Sequence, residues 1–165
     1  MLASDSMPRL DKVDFQLLLA LCRGPHSSSV GLAHALGISR NTVQARMARL
    51  EGSDVFRAFD RRISPAVLGY PLTAFITVHI EQNRAAEIIA DLSLIPEIVQ
   101  AHGVSGPADL LVRVACTDAE DLFRIDRAIS ACAGVQRTET SLAMGELIPY
   151  RVVPLLEQGV PPRSV

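Results

Sequence analysis

The chain has 165 residues, 48% of them hydrophobic, few aromatics, no tryptophan and a formal net charge of −2. That composition fits one domain or two small ones with aliphatic cores, and excludes a disordered chain. The longest mainly apolar run, Phe15 to Cys22, is far short of the roughly 20 residues that cross a bilayer, so no membrane partner is expected.

Residues 1–9 read as a flexible tail. They lack a basic start followed by an apolar block, which predicts no secretory signal and a cytoplasmic protein. A helix-turn-helix domain is expected over residues 10–54. Its first helix opens at Leu10-Asp11-Lys12-Val13-Asp14, with Asp11 as cap and Asp14 in the first turn, where a carboxylate suits the helix dipole. Val13, Leu17, Leu18, Ala20 and Leu21 form its buried side, and Gly24-Pro25 ends it. Ser27-Ser28-Ser29 supplies the next cap. Ala33 is small enough for two helices to cross closely, and Gly37 suits a left-handed turn. Ser39 caps a third helix by accepting a backbone N–H. Val43, Met47 and Leu50 recur at helical spacing and face inward. Arg40, Asn41, Gln44 and Arg49 are left outside, with Arg46 at the edge.

A helix with an apolar stripe on one side and basic and amide side chains on the other can enter the DNA major groove. Arg40, Arg46 and Arg49, with Arg57, Arg61 and Arg62 in the segment that follows, are the candidates to pair phosphates. Asn41 and Gln44 are the best base readers, because an amide binds adenine bidentately, and Arg40 suits guanine. Ser28 and Ser29, at the start of the second helix, offer phosphate hydrogen bonds, and Ser39 and Thr42 complete the DNA-facing set. Charge is divided accordingly: residues 1–62 hold nine Lys/Arg against six Asp/Glu, and residues 63–165 seven against twelve. Only the first part is therefore expected to meet a polyanion.

Residues 55–70 read as an extended linker closed by Ser64-Pro65 and Leu68-Gly69-Tyr70-Pro71. A second domain is expected over 71–157. Leu72, Ala74, Ile76, Val78 and Ile80 alternate as in a strand. Arg84 to Leu94 has helical spacing through Ala86, Ile89 and Leu92. Ile98 to Val104 and Asp109 to Thr117 are strands around the turn Ser105-Gly106-Pro107-Ala108. Asp118 caps a helix through Phe123, Ile125, Ala128 and Ile129. Val135 to Met144 is a strand, Tyr150 to Leu156 a further extended piece, and 158–165 a tail.

The order strand, helix, strand, strand, helix, strand makes the chain α+β, a three-helix domain followed by a ferredoxin-like βαββαβ domain. Two helices cover one face of such a sheet. Phe75, Leu111, Ala115, Leu142 and Met144 leave the second face too apolar for water, so a two-fold homodimer is expected. Cys22, Cys116 and Cys132 sit among aliphatic residues as buried thiols, with no C-x-x-C or Cys/His cluster for a metal. His26, His34, His79 and His102 form no ligand set, though His79 and His102 fall on strands that are expected to adjoin.

Several motifs in this order resemble the Lrp/AsnC, or feast/famine, family of transcriptional regulators. They are Leu10-Asp11-x-x-Asp14, Leu32-Ala33-x-x-x-Gly37-Ile38-Ser39, Thr42-Val43-x-x-Arg46-Met47-x-x-Leu50-Glu51, Ser64-Pro65-x-x-Leu68-Gly69, Gly106-x-x-Asp109-Leu110 and Gly134-Val135-x-x-Thr138-x-Thr140. The resemblance implies a sequence-specific, nucleoid-associated regulator that binds double-stranded DNA as dimers and assembles into tetramers, octamers or larger discs. It also implies no cofactor, and a small effector, commonly an amino acid, at contacts between dimers. Matching positions for that effector are Val104, Ser105, Gly106, Pro107, Ala108, Asp109 and Leu110, with Thr138 and Thr140 on the last strand. Asp109 is the candidate to hold an α-ammonium group. The chain departs from the family pattern at Asp54, where glycine is usual, and at Leu110, where an aromatic is usual. Two other readings remain: a ligand-independent architectural DNA-wrapping protein, and an enzyme resembling siroheme decarboxylases that would recruit His102 and Arg113.

Overall fold

The computed structural model describes residues 10–25, 27–53, 55–56 and 63–159. They fall into two compact units, one within Met1–Phe59 and Ile148–Val165 and the other within Asp60–Leu147.

The first unit is built on three helices, α1 (Lys12–Arg23), α2 (Ser29–Leu36) and α3 (Arg40–Glu51). Each starts where a side chain satisfies an orphan backbone N–H. Asp11 accepts from the Val13 and Asp14 N–H groups, while the Asp14 carboxylate accepts the Asp11 N–H in return, a reciprocal capping box. Ser28 accepts from Gly31 and Ser39 from Thr42. Between α2 and α3, Gly37 takes φ 64°, and its N–H meets the Ala33 and His34 carbonyls. A side chain there would force a conformation that only glycine adopts freely. Leu17, Leu18, Leu32, Ala33, Val43 and Leu50 close the core, with Met47 and Ile38 packed at its edge. One further helix joins them. Where an extended piece was expected over Tyr150 to Leu156, the chain forms α6 (Val153–Gln158), whose Leu156 packs on this core. Arg23 of α1 pairs with Glu157 at 2.8 Å. Residues 148–159 thus group with the helices, whereas the spacing had set them with the sheet in 71–157. A six-residue helix carries too few apolar repeats for period alone to reveal.

The second unit is a four-stranded antiparallel sheet in the order β2-β3-β1-β4, from β1 (Leu72–Ile80), β2 (Ile98–Gly103), β3 (Leu110–Cys116) and β4 (Val135–Leu142). Helices α4 (Ala85–Leu92) and α5 (Ala119–Ser130) complete the βαββαβ order expected of a ferredoxin-like domain. Ala74, Ile76, Val78 and Ile80 on β1, with Leu110, Val112, Val114 and Cys116 on β3, share one face. Ile88, Leu92, Leu122, Ile125 and Ile129 pack on it from the helices. In α4 and α5 the buried residues differ from the expected ones. Ile89 and Phe123 are exposed, and the turns are rotated so that Ile88 and Leu122 enter the core. Arg127 instead sits over the Phe123 ring, 5.9 Å from its centroid.

Register decides the other face. Phe75 lies opposite Arg113 and Ser141, and Thr77 opposite Leu111 and Glu139, all turned away from the helices. Leu142, expected among them, lies opposite Ala74 and so belongs to the helix side. Met144 lies beyond β4 and is exposed. His79 and His102 do not adjoin, because β3 runs between β1 and β2. Cys116 is buried and Cys132 half-buried, and burial pushes both thiols up in pKa, but Cys22 is exposed rather than buried. Among the described residues no helix is long and apolar enough to cross a membrane, and no group of three His, Cys, Asp or Glu could hold a metal.

Candidate functional site

Helix α3 buries Val43 and Leu50 and turns Arg40, Asn41 and Gln44 outward, all three exposed. Asn41 and Gln44, three positions apart, share one face near the helix N-terminus. Ser39 and Thr42 are occupied in starting the helix: their hydroxyls bond to each other at 2.8 Å, and the Thr42 N–H donates to Ser39 Oγ at 3.1 Å. Ser28 does the same for α2, accepting the Gly31 N–H at 3.1 Å, and Ser29 follows it half-buried. Arg57, Arg61 and Arg62 lie outside the described residues, as do His26 and Asp54.

Arg49 is exposed and Arg46 half-buried at the edge of α3, but the charge of each is already paired within the helical unit. Both turn back to the start of α1. Arg46 Nη1 donates to Asp11 Oδ1 at 2.8 Å, Asp11 Oδ2 at 2.7 Å and Asp14 Oδ1 at 2.7 Å. Arg49 Nη2 donates to Asp14 Oδ2 at 2.6 Å. Asp14 is the one charged residue among the buried ones described, with none of its surface exposed. Ionised burial of this kind is tolerable only with close countercharges, and Asp14 has two. The signal was present in the sequence as two matched pairs, Asp11-x-x-Asp14 and Arg46-x-x-Arg49. Each i,i+3 spacing sets like charges on one helix face.

The arrangement shifts the acids. Arg46, hydrogen-bonded to Asp11, holds that carboxyl below its ordinary value of 3.8. Burial opposes ionisation of Asp14, but hydrogen bonds from Arg49, the Asp11 N–H and Arg46 outweigh it, and its pKa is lowered as well. Hydrogen bonds to Asp11 and then Asp14 raise Arg46 in turn. A carboxyl with a depressed folded pKa adds stability that is complete above its unfolded value and is lost as pH falls through the folded one. The melting temperature of the helical unit should therefore hold steady down to about pH 5 and drop below about pH 4. Asp14→Asn should flatten that drop in a circular-dichroism melt series.

The turn between β2 and β3 is the second site. Val104, Ser105, Gly106 and Pro107 are exposed, Ala108 and Asp109 half-buried, and Leu110 enters the core. Gly106 takes φ 126°, with nothing within 4 Å of where a side chain would begin. The Val104 N–H closes the turn on the Asp109 carbonyl at 2.9 Å. Asp109 is tied to β1 and the turn after it: Oδ2 accepts the Ile80 N–H at 2.8 Å and Oδ1 accepts the Gln82 amide. Gln82 was not singled out by the sequence reading. Thr138 and Thr140 are on β4, across β1 from the turn, and face α5. Thr138 Oγ1 shares a hydrogen bond with Ser130 at 3.0 Å, and Thr140 Oγ1 donates to Asp126 at 2.8 Å. Within one chain the fold gathers Val104 to Asp109 and leaves the two threonines apart from them.

Both regions match known families. Residues 10–51 fit the AsnC-type helix-turn-helix domain, and residues 73–153 the Lrp/AsnC ligand binding domain. The chain is 32% identical over 142 residues to the HTH-type transcriptional regulator AldR of Mycolicibacterium smegmatis, covering 84% of this chain and 83% of that protein. Among solved structures, a feast or famine regulatory protein from M. tuberculosis complexed with L-methionine aligns at a TM-score of 0.78 with 26% identity, over 87% of this chain and 97% of that one. AsnC of E. coli aligns at 0.80 over 89% of this chain and 100% of that one; at 22% identity it supports the fold alone. The AldR relative is a regulator of transcription rather than an enzyme. Motifs, fold and relatives agree, and the chain belongs to the Lrp/AsnC family of helix-turn-helix transcriptional regulators.

Proposed function

We propose that the protein is a sequence-specific regulator in which α3 reads the DNA major groove through Arg40, Asn41 and Gln44, with Ser28 and Ser29 near the phosphate backbone. The supporting observation is the division of α3 itself: Val43 and Leu50 are buried while those three polar side chains are exposed at its N-terminal half. Arg57, Arg61 and Arg62 add phosphate contacts in this reading. Arg46 and Arg49 do not, since their charge is already met by Asp11 and Asp14.

Two copies join through the open faces of their sheets, around Phe75 and Leu111, in keeping with the apolar side chains turned away from the helices. Their recognition helices then enter successive grooves about 34 Å apart on a pseudo-palindromic site. Dimers assemble further into tetramers, octamers or larger rings, and the protein works on the nucleoid, in the cytoplasm. An amino acid binds where the exposed turn 104–107 of one dimer meets another. Gly106 there allows close backbone approach, and Asp109 keeps the turn in shape while offering its remaining lone pairs to an α-ammonium group. Thr138 and Thr140 contribute only if a neighbouring dimer supplies the other wall. Binding regulates through its preference for one assembly over another.

L-methionine is the first probe, because the M. tuberculosis relative was solved with it. Sedimentation velocity should show species of twice 17.8 kDa or more, redistributed by L-methionine or another amino acid. A single 17.8 kDa species throughout would remove the dimer. An assembly that is indifferent to every amino acid would leave the architectural reading in its place.

A further inference from the structure

The recognition helix is less basic than its sequence. Of the arginines on α3, two face carboxylates within 2.8 Å, so Asp11, Asp14, Arg46 and Arg49 form a cluster of zero net charge. Its members are not equally sealed. Asp14 is fully buried, whereas the Asp11 side chain is 55% exposed and that of Arg46 is 24% exposed. Asp11, Arg46 and Arg49 also line one shallow concavity together with Asn41, Thr42 and Ala45. The outer half of the ion cluster therefore borders the face of α3 that is proposed to meet DNA.

We propose that Asp11 is a positioning residue for recognition: it holds Arg46 on the protein and withholds that charge from the phosphate backbone. The inference rests on α3 being the DNA-reading element. Its physical content is a competition. Arg46 commits Nη1 to two carboxylates at 2.7 to 2.8 Å, and a guanidinium whose charge is already met in this way gains less from a phosphate. Each phosphate contact adds affinity for any sequence, through counterion release, and adds none of the discrimination that base contacts supply. Keeping Arg46 on Asp11 limits sequence-independent attraction and leaves a larger share of the binding to Asn41 and Gln44. Asp11 also caps α1, and asparagine caps equally well, so Asp11→Asn removes the charge while keeping the cap. Asp14 remains, shared by Arg46 and Arg49, so one positive charge of the cluster is left unmatched.

The test is fluorescence anisotropy of the full-length protein on a random-sequence duplex across a salt series, with thermal melts to confirm folding. Asp11→Asn should bind about five- to tenfold tighter at low salt, and its slope of log affinity against log salt should steepen by about 1 per recognition helix. Adding Arg46→Gln to Asp11→Asn should return both to the original values. Arg46→Gln alone, tested separately, should leave the original slope nearly unchanged, because its charge is already neutralised. If Asp11→Asn binds with an unaltered slope, the inference is overturned. So it is if Arg46→Gln alone lowers the slope by about 1, since Arg46 would then already meet phosphate. Failure of the unaltered protein to bind duplex at any salt would instead refute the DNA reading itself.

Discussion

Replacing Asp14 with alanine should lower the stability of the helical unit by about 3 kcal/mol, the low end for breaking a buried ion pair. The substitution removes the acceptor of Arg49, one of the two carboxylates on Arg46, and the return bond of the capping box. Hydrogen bonds to charged groups are worth about 1.5 to 3 kcal/mol each, but the two arginines are partly exposed and regain water when released, which holds the loss down. In a small helical unit that loss removes most of the available stability. The expected melt shift is roughly 12 to 24 °C downward by circular dichroism, from about 4 to 8 °C per kcal/mol. A melt within about 2 °C of the original would mean that the cluster is ornamental and that α3 is held by Val43 and Leu50 alone.

Arg40→Ala combined with Gln44→Ala should act in the opposite way, leaving the fold alone and removing recognition. Both side chains are exposed and neither closes the core, so stability should change by less than about 0.5 kcal/mol. A good bidentate base contact discriminates by about 1 to 3 kcal/mol, so losing two should weaken binding to a selected site by about 30-fold to about 20,000-fold. The site is obtained by letting the unaltered protein select duplexes from a random library, and the variant is compared on it by gel shift. Binding to random duplex should fall much less, through loss of the Arg40 charge alone. Equal affinity for the selected site would move base reading off the N-terminal half of α3. The two variants separate the roles of one helix: Asp14 concerns how α3 is seated, Arg40 and Gln44 what it meets.

Much of this was legible in the order of residues, because the energies concerned are local. Asp11 and Ser39 announce helix starts since a side-chain oxygen two or three residues from a bare N–H satisfies it whatever the rest of the chain does. Gly37 marks the turn because the left-handed conformation is costly for other residues. Alternation in Leu72 to Ile80 and in Leu110 to Cys116 declares which side faces the helices, as a strand's period is two. The order of strands and helices then leaves few topologies, and the ferredoxin-like one follows.

What the order of residues left open is what depends on two elements meeting. Arg46 and Arg49 have the spacing of solvent-facing arginines, and only the crossing of α3 over α1 brings them to carboxylates 32 and 35 residues away. Leu142 looked like part of the open sheet face until the β1–β4 register set it opposite Ala74. His79 and His102 fell apart because β3 entered between their strands, which alternation within a strand does not encode. Asp109 has the look of an open ligand carboxylate, yet the end of β1 reaches it with the Ile80 N–H. Caps and strand periods are settled by neighbours a few bonds away, so sequence alone determined where α1 and α3 start and which sides of β1 and β3 face inward, but not α6 or the inward turns of α4 and α5. Partners of charged and polar side chains are chosen by whichever distant group the packing delivers within about 3 Å, and that selection was left to the tertiary structure.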